Sequence, residues 1–473
     1  MPISDIFIAA IKDLLLILAM YILGSYVLLL IRRRISWSEI ISVGFPIGAG
    51  LLSFSAFVVS FIGFQLSLIT LFVIYFLLFV FISIVAKRNS VDIQKASRSL
   101  VKTIKTTPQW LPKGWIFRAG LFTVLGIFFW TVILSVGRSY STWDGLETWS
   151  VKGYGIAQEG TILAADTYGS FDRAYPLNTP ILIAFFRYVS GDILPGSKMI
   201  FPLLAVSFLF GSYRYWRTNN VSPEKAMLGV LLFLTIPLFF RHMMVGMADL
   251  PFACYFLLAI FWSMEGLYTQ DSRALLISSL LLGFSCWTRP EGFLYCVGAI
   301  ITLLIAARLT RLKRPKILPW LLPLVIISTF WLAFSLSDVS ESNLGQASRS
   351  SFLTILQDGI DLHIIWIILL HILRRSLDPS LWGFYIPICI LLIAFGWRKL
   401  FSINESLILM NTLLLLFVFA VPIVLFYIGT THYGLDFLPG WLDRSFDRAF
   451  FSALLLVGVL AVTIVGKPKA YVK

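Results

Sequence analysis

The chain has 473 residues, of which 58% are hydrophobic and 13% are charged, and its mean hydropathy is +0.88. A soluble globular surface needs roughly 25% charged residues, so soluble domains are excluded, and the same composition excludes disordered, coiled-coil and disulfide-scaffold proteins. The four cysteines all lie in apolar runs and indicate neither a disulfide framework nor a metal site. The composition therefore predicts an all-α polytopic membrane protein.

Apolar segments bounded by charge predict about thirteen transmembrane helices. They are 6–31, 39–62, 66–86, 119–136, 197–216, 225–240, 249–267, 274–288, 292–308, 317–336, 381–396, 405–428 and 449–465. The first is too long, and too poor in preceding basic residues, for a cleaved signal peptide, so we expect it to be retained.

The net charge of +14 is distributed as a topology signal. When sides alternate along the spans, most basic residues fall on one side, including those of loop 87–118, and basic loops stay cytoplasmic. We therefore expect a multi-pass protein of the cell (plasma or inner) membrane, with its N-terminus outside and its C-terminus in the cytoplasm. This distribution removes the case for nucleic-acid binding.

The same pattern predicts four regions. They are an accessory three-span bundle (1–86), a basic cytoplasmic linker (87–118), a transmembrane catalytic core (119–465, including outer loop 137–196) and a cytoplasmic tail (466–473). The long polar connections, with their interfacial helices, are all expected outside, so chemistry is expected on that face.

The first outer loop carries the strongest catalytic candidates, Asp144 and Glu147, on a short interfacial segment anchored by tryptophans. A carboxylate at the membrane surface suits a general base, and the nearby Lys152 suits a lipid phosphate. The alternative is an amphipathic surface helix with ordinary solvated charges.

Later outer segments supply further candidates, each with a structural alternative. Asp249 could instead cap its helix, Arg289 and Glu291 could simply pair with each other, and His242 could be an ordinary interfacial histidine. Arg444 and Arg448 suit a phosphate headgroup, or could pair with neighbouring aspartates. The remaining candidates, at the start of a short helix in the first outer loop, are Arg173 and Tyr175.

In order and placement these motifs resemble GT-C glycosyltransferases, particularly family 39 and aminoarabinose-transferase-like members. The motifs are the early outer acidic residue, Ala-Asp-Leu-Pro at 248–251, Thr-Arg-Pro-Glu-Gly at 288–292 and Ser-Phe-Asp-Arg at 445–448. The resemblance implies inverting transfer from a polyprenyl-phosphate-linked sugar outside the membrane, with Asp144 catalytic and Lys152 near the phosphate. Tyr175-Pro176 departs from the His-Pro-Pro of many relatives.

Two other functions compete with this interpretation. An O-antigen ligase or polymerase-like enzyme would place its key residues in a large late outer loop, whereas the acid-rich loop here is early. A lipid or glycan transporter would have charged residues that face one another in the middle of the membrane, whereas the spans after the first contain almost none. The acceptor is left open as a lipid, glycan or protein, and membrane lipids are the surrounding partners. No cofactor is expected, and no metal, because arginine and lysine can stabilise a departing lipid phosphate.

Overall fold

The computed structural model describes residues 3–32, 35–88, 114–169, 175–191, 196–312, 317–337, 361–400, 406–433 and 438–466. Within them the chain forms helices and no strands. The longer helices are α1 (Ile3–Arg32), α2 (Trp37–Phe61), α3 (Leu68–Arg88), α4 (Trp115–Val136), α5 (Val151–Glu159), α6 (Asn178–Ser190), α7 (Ile200–Thr218), α8 (Pro223–Phe233), α9 (Pro237–Val245), α10 (Asp249–Thr269), α11 (Ser272–Cys286), α12 (Gly292–Leu309), α13 (Ile317–Leu336), α14 (Leu362–Ser376), α15 (Tyr385–Phe395), α16 (Ser406–Tyr433), α17 (Leu438–Ala449) and α18 (Phe451–Gly466).

The all-α membrane fold is confirmed, but the count of thirteen spans is not. Nine helices in the described residues are long and apolar enough to cross a membrane, or eleven if two bent pairs each count as one span. The bent pairs are α8 with α9, at 67°, and α17 with α18, at 48°. Helices α11 and α15 are apolar but shorter.

Helix α10 forms the centre of the bundle. Almost every residue in it is buried, and it packs against α7, α11 and α18. Helices α3 and α4 instead expose most of their apolar surface. Since lipid tails are as apolar as leucine side chains, exposed apolar helices are stable at the rim of a membrane bundle.

The first two helices pack directly against the rest of the bundle. Their own contact is close, because a Cβ at Gly48 would come 1.8 Å from the Met20 carbonyl oxygen. Helix α2 also reaches the start of α6, where the Ser53 hydroxyl donates a 2.5 Å hydrogen bond to Asn178. Most of linker 87–118 and residues 467–473 lie outside the described residues.

A buried ionic network joins α1, α2, α7 and α10 at the end of the bundle where α10 finishes. Arg214 contacts Glu39 at 3.1 Å and Glu265 at 2.6 Å, and Arg32 contacts the same two carboxylates and Asp271. The Arg214 guanidinium also lies 4.0 Å from the centre of the Trp262 ring. We call these five charged residues the far-end network.

We predict that Arg214→Ala destabilises the protein strongly. Its side chain is 7% exposed, and its loss leaves Glu39 and Glu265 short of a buried counter-charge. Breaking one partner of a buried pair typically costs about 3–5 kcal/mol. Unfolding of the detergent-solubilised protein measures the loss, with the exposed Arg273→Ala as the control. Equal stability of the two variants would contradict the prediction.

Candidate active site

Five charged side chains from separate parts of the chain meet at the opposite end of the bundle, where α10 begins. Arg448 contacts Asp144, and its Nε lies 3.6 Å from the Asp249 carboxylate. Arg289 contacts Asp249 and lies 2.6 Å from the Glu291 carboxylate. Arginines and carboxylates therefore alternate in one continuous row, which we call the ionic cluster.

Asp144 is the first residue of a π-helical segment, Asp144–Ser150, that runs into α5. Close packing at Gly145 fixes this segment, because an added Cβ would lie 2.6 Å from the Val245 carbonyl oxygen. Gly246, the next residue after Val245, has φ +81°, so it turns the chain from α9 towards α10 in a conformation that suits glycine. The approach of these two turns brings Asp144 towards the start of α10.

Arg289 lies in the turn between α11 and α12, and buried hydrogen bonds hold that turn. The Asn178 side chain donates to the Thr288 hydroxyl at 2.8 Å, and the Asn178 backbone donates to the Trp287 carbonyl at 3.3 Å. The indole of Trp287 donates in turn to Ser53 at 3.3 Å. Helices α2 and α6 therefore orient the turn that carries Arg289.

Arg448 lies near the end of α17, just before the bend into α18. This helix is amphipathic and buries Leu438, Leu442 and Phe446. The alternative that Arg448 pairs with its neighbour is not observed, because Asp447 instead accepts a 3.0 Å hydrogen bond from Arg375 of α14. Asp447 is thus held by another helix while Arg448 faces Asp144.

Three members of the cluster are deeply buried, since Asp249 is 3% exposed and Asp144 and Arg289 are each 7% exposed, whereas Glu291 and Arg448 are partly exposed. Burial raises the pKa of Asp144; the Arg448 guanidinium lowers it, the Asp249 carboxylate raises it, and the net direction is upwards. Asp249 Oδ2 and Arg289 Nε have no hydrogen-bond partner among the described residues. Both atoms are buried.

Helix ends add positive potential to the same place. Helices α6, α10 and α12 all begin beside the cluster, at Asn178, Asp249 and Gly292. The N-terminus of a helix carries partial positive charge and unpaired N–H groups, which favour anions. These helix ends and the two arginines place positive potential beside the three carboxylates.

Among the remaining candidates, Tyr175 lies near the ionic cluster. It packs edge-on against Trp149, with ring centres 5.5 Å apart; burial raises its pKa, and the charges of Arg289, Glu291, Arg448 and Asp144 act on it as well. Lys152 is completely buried in α5, Glu147 is partly buried in the π segment, and Arg444 is exposed on α17. Arg173 lies outside the described residues.

Three polar residues near the cluster, two considered in the sequence analysis and one missed by it, differ in their surroundings. The ring of His242 is buried against Phe451, with ring centres 4.5 Å apart, and neither ring nitrogen has a hydrogen-bond partner among the described residues. Asp249 follows the capping position, which is Ala248, and its side chain pairs with arginine. The sequence analysis missed Asn178, whose only signal was an amide at the start of an apolar run.

The described residues contain no group of three or more histidine, cysteine or acidic side chains placed to hold a metal ion. Residues 175–333, about a third of the chain, match the family described as dolichyl-phosphate-mannose-protein mannosyltransferase, a glycosyltransferase family of the GT-C superfamily. No curated protein and no solved structure matches the chain. The match includes Asp249, Arg289 and Glu291 and supports a membrane glycosyltransferase of the GT-C type.

We predict that Gly145→Ala lowers glycosyl transfer by about 10²-fold, because displacing a catalytic group by about 1 Å has that effect. The added methyl group would meet the Val245 carbonyl oxygen and shift Asp144. Gly126→Ala is the matched control, since its Cβ would meet nothing within 4 Å. Turnover by purified protein decides the matter, and equal rates for both variants would refute the positioning role of Gly145.

Proposed function

We propose that this protein transfers a sugar from a polyprenyl-phosphate-linked donor to an acceptor on the extracytoplasmic face, with inversion at the anomeric carbon. The observation that carries the proposal is the contact of Asp144 with Arg448 inside the ionic cluster. It places a candidate base beside a candidate phosphate-binding residue. The reaction needs both groups close to the transferred sugar, because one acts on the acceptor and the other on the donor phosphate.

Asp144 is proposed as the general base. It takes the proton from an acceptor hydroxyl or amine while the acceptor atom attacks the anomeric carbon and the bond to the donor phosphate oxygen breaks. A base works best when its pKa lies near the working pH, and the pKa of Asp144 is raised by burial towards that range. Glu147, on the same π segment, is the second candidate.

Arg448 and Arg289 are proposed to bind the donor phosphate and to stabilise the polyprenyl phosphate that leaves. A guanidinium binds phosphate through paired hydrogen bonds, and such charge-assisted bonds are about twice as strong as neutral ones. The free Nε of Arg289 and the neighbouring helix N-termini favour the same anion. Lys152, Arg173 and Arg444 remain further candidates for the phosphate or its surroundings.

The proposed sidedness rests on the charge distribution. The residues that the sequence analysis placed outside, such as Asp144 and Arg448, meet at one end of the bundle. Those placed inside, such as Arg32 and Arg214, meet at the other end in the far-end network. Because basic loops stay cytoplasmic, the ionic cluster is proposed to face outwards.

We predict that Asp144→Asn inserts and folds but loses about 10²–10⁴-fold in transfer rate, as expected when a positioned base is removed. The assay follows release of polyprenyl phosphate from polyprenyl-phosphate-linked mannose or pentose by purified protein. Asp5→Asn, near the N-terminus of α1, is the control. If Glu147→Gln abolished turnover while Asp144→Asn did not, the base would be Glu147.

We predict opposite pH shifts for two neighbours of Asp144. The base acts when deprotonated, so the rate falls as pH falls through the pKa of Asp144. Asp249 raises that pKa and Arg448 lowers it. Asp249→Asn should therefore move the acidic limb of kcat/KM to lower pH, and Arg448→Gln should move it to higher pH.

The shift of the limb is separate from any loss of maximum rate, so reduced donor binding in the Arg448 variant does not obscure it. Asp443→Asn, an exposed change on α17, serves as the control and should leave the limb in place. If the acidic limb moved in the same direction in the Asp249 and Arg448 variants, Asp144 would be excluded as the titrating base.

A further inference from the structure

A cavity of about 340 Å³ lies at the same end of the bundle as the ionic cluster. Three segments line it: the turn between α2 and α3, the end of α5 with the loop that follows, and the end of α13. Its volume falls within the range of small-molecule sites, which runs from roughly 300 to 1,000 Å³. None of the groups in the ionic cluster lines it.

Hydrogen bonds fix the walls of this cavity against each other. The Leu66 backbone donates to the Gly160 carbonyl at 2.6 Å, and the Ile162 backbone donates to the Ser60 hydroxyl at 3.1 Å. Loops that lack such bonds are usually mobile, whereas these bonds tie the α2–α3 turn to the loop after α5. The cavity is therefore a formed feature shared by the N-terminal spans and the first outer loop.

The lining combines aromatic rings with hydrogen-bonding groups. Phe61 is 40% exposed and Phe64 is 63% exposed, and Phe61 packs edge-on against the buried Phe334. The polar groups include the Gln65 amide and the Glu159 carboxylate, to which the Tyr168 hydroxyl is hydrogen-bonded. No lysine or arginine belongs to the described residues around the cavity.

We propose that this cavity binds a neutral or amino-sugar unit of the acceptor, an inference that rests on the proposed function. Apolar C–H faces of a sugar can pack on the phenylalanine rings, while its hydroxyls bind an amide and a carboxylate, which together offer donors and acceptors. Since the one charged lining group is a carboxylate, a phosphate would be repelled here. The cavity therefore differs in ligand from the arginine-rich cluster.

Its position suits the acceptor. The π segment that begins at Asp144 and helix α5 that ends at Glu159 together separate the two carboxylates by fifteen residues, about 22 Å at 1.5 Å per residue. An acceptor of several sugar units could bind in the cavity with one unit and present a hydroxyl near Asp144 with another. The N-terminal spans would thereby contribute to acceptor recognition through Phe61 and Gln65.

The test measures binding of saccharides to the full-length purified protein by saturation-transfer NMR, without any transfer reaction. The probes are glucose, mannose, glucosamine and N-acetylglucosamine, with their β-linked disaccharides where available, and inorganic phosphate as the anionic comparison. We expect at least one saccharide to bind, and binding to weaken at least tenfold in Glu159→Ala and in Phe61→Ala. Thr161→Trp, which fills the cavity, should have the same effect.

Gln158→Ala is the matched control, since Gln158 is exposed on α5 beside Glu159 and does not line the cavity. Absence of saccharide binding, or binding that is equal in control and cavity variants, would overturn the proposal. Release of polyprenyl phosphate is measured on the same samples. Donor cleavage without cavity-dependent binding would defeat this inference alone, whereas cavity-dependent binding without donor cleavage would count against the proposed function.

Discussion

The row of alternating charges from Asp144 through Arg448, Asp249 and Arg289 to Glu291 is the constraint on which the rest of the site depends. A buried charge needs a partner of opposite sign, and removing one residue of the row leaves its neighbour as an uncompensated buried charge. Two guanidiniums can balance only two of the three carboxylates. One carboxylate is therefore left without a full counter-charge, and the raised pKa of Asp144 supports its proposed role as the proton acceptor.

The far-end network applies the same constraint at the other end of α10. Asp249 and Glu265 lie on this one helix, about 24 Å apart at 1.5 Å per residue, and each is held by arginines from other helices. A hydrocarbon core of about 30 Å separates two polar regions of this kind. With both ends paired, α10 is fixed relative to the segments that carry these arginines.

Much of this arrangement could be predicted from the sequence, and the rest could not, for physical reasons. Apolar segments bounded by charge located most of the helices, and the charges at their ends included Asp249, Arg289, Glu291 and Arg448. The ion pairs between distant parts of the chain could not be predicted, because a sequence shows which residues are adjacent along the chain and not which are in contact. Asp447 and Arg448 are adjacent, so on a helix they point about 100° apart and cannot share a face. Asn178 was missed because a single buried amide leaves no periodic signal.

The count of thirteen spans is not confirmed at two bent helix pairs and at two apolar helices, α11 and α15, that are shorter than a span. Ile236 is extended before Pro237, which opens the bend between α8 and α9, and another bend separates α17 from α18. Irregular backbone is costly within a membrane unless it is buried in protein or lines a cavity. The two bent pairs contact each other, since His242 of α9 packs on Phe451 of α18 close to Arg448. The π segment and the Gly246 turn lie beside the ionic cluster as well, so these irregular segments help to bring its charged side chains together.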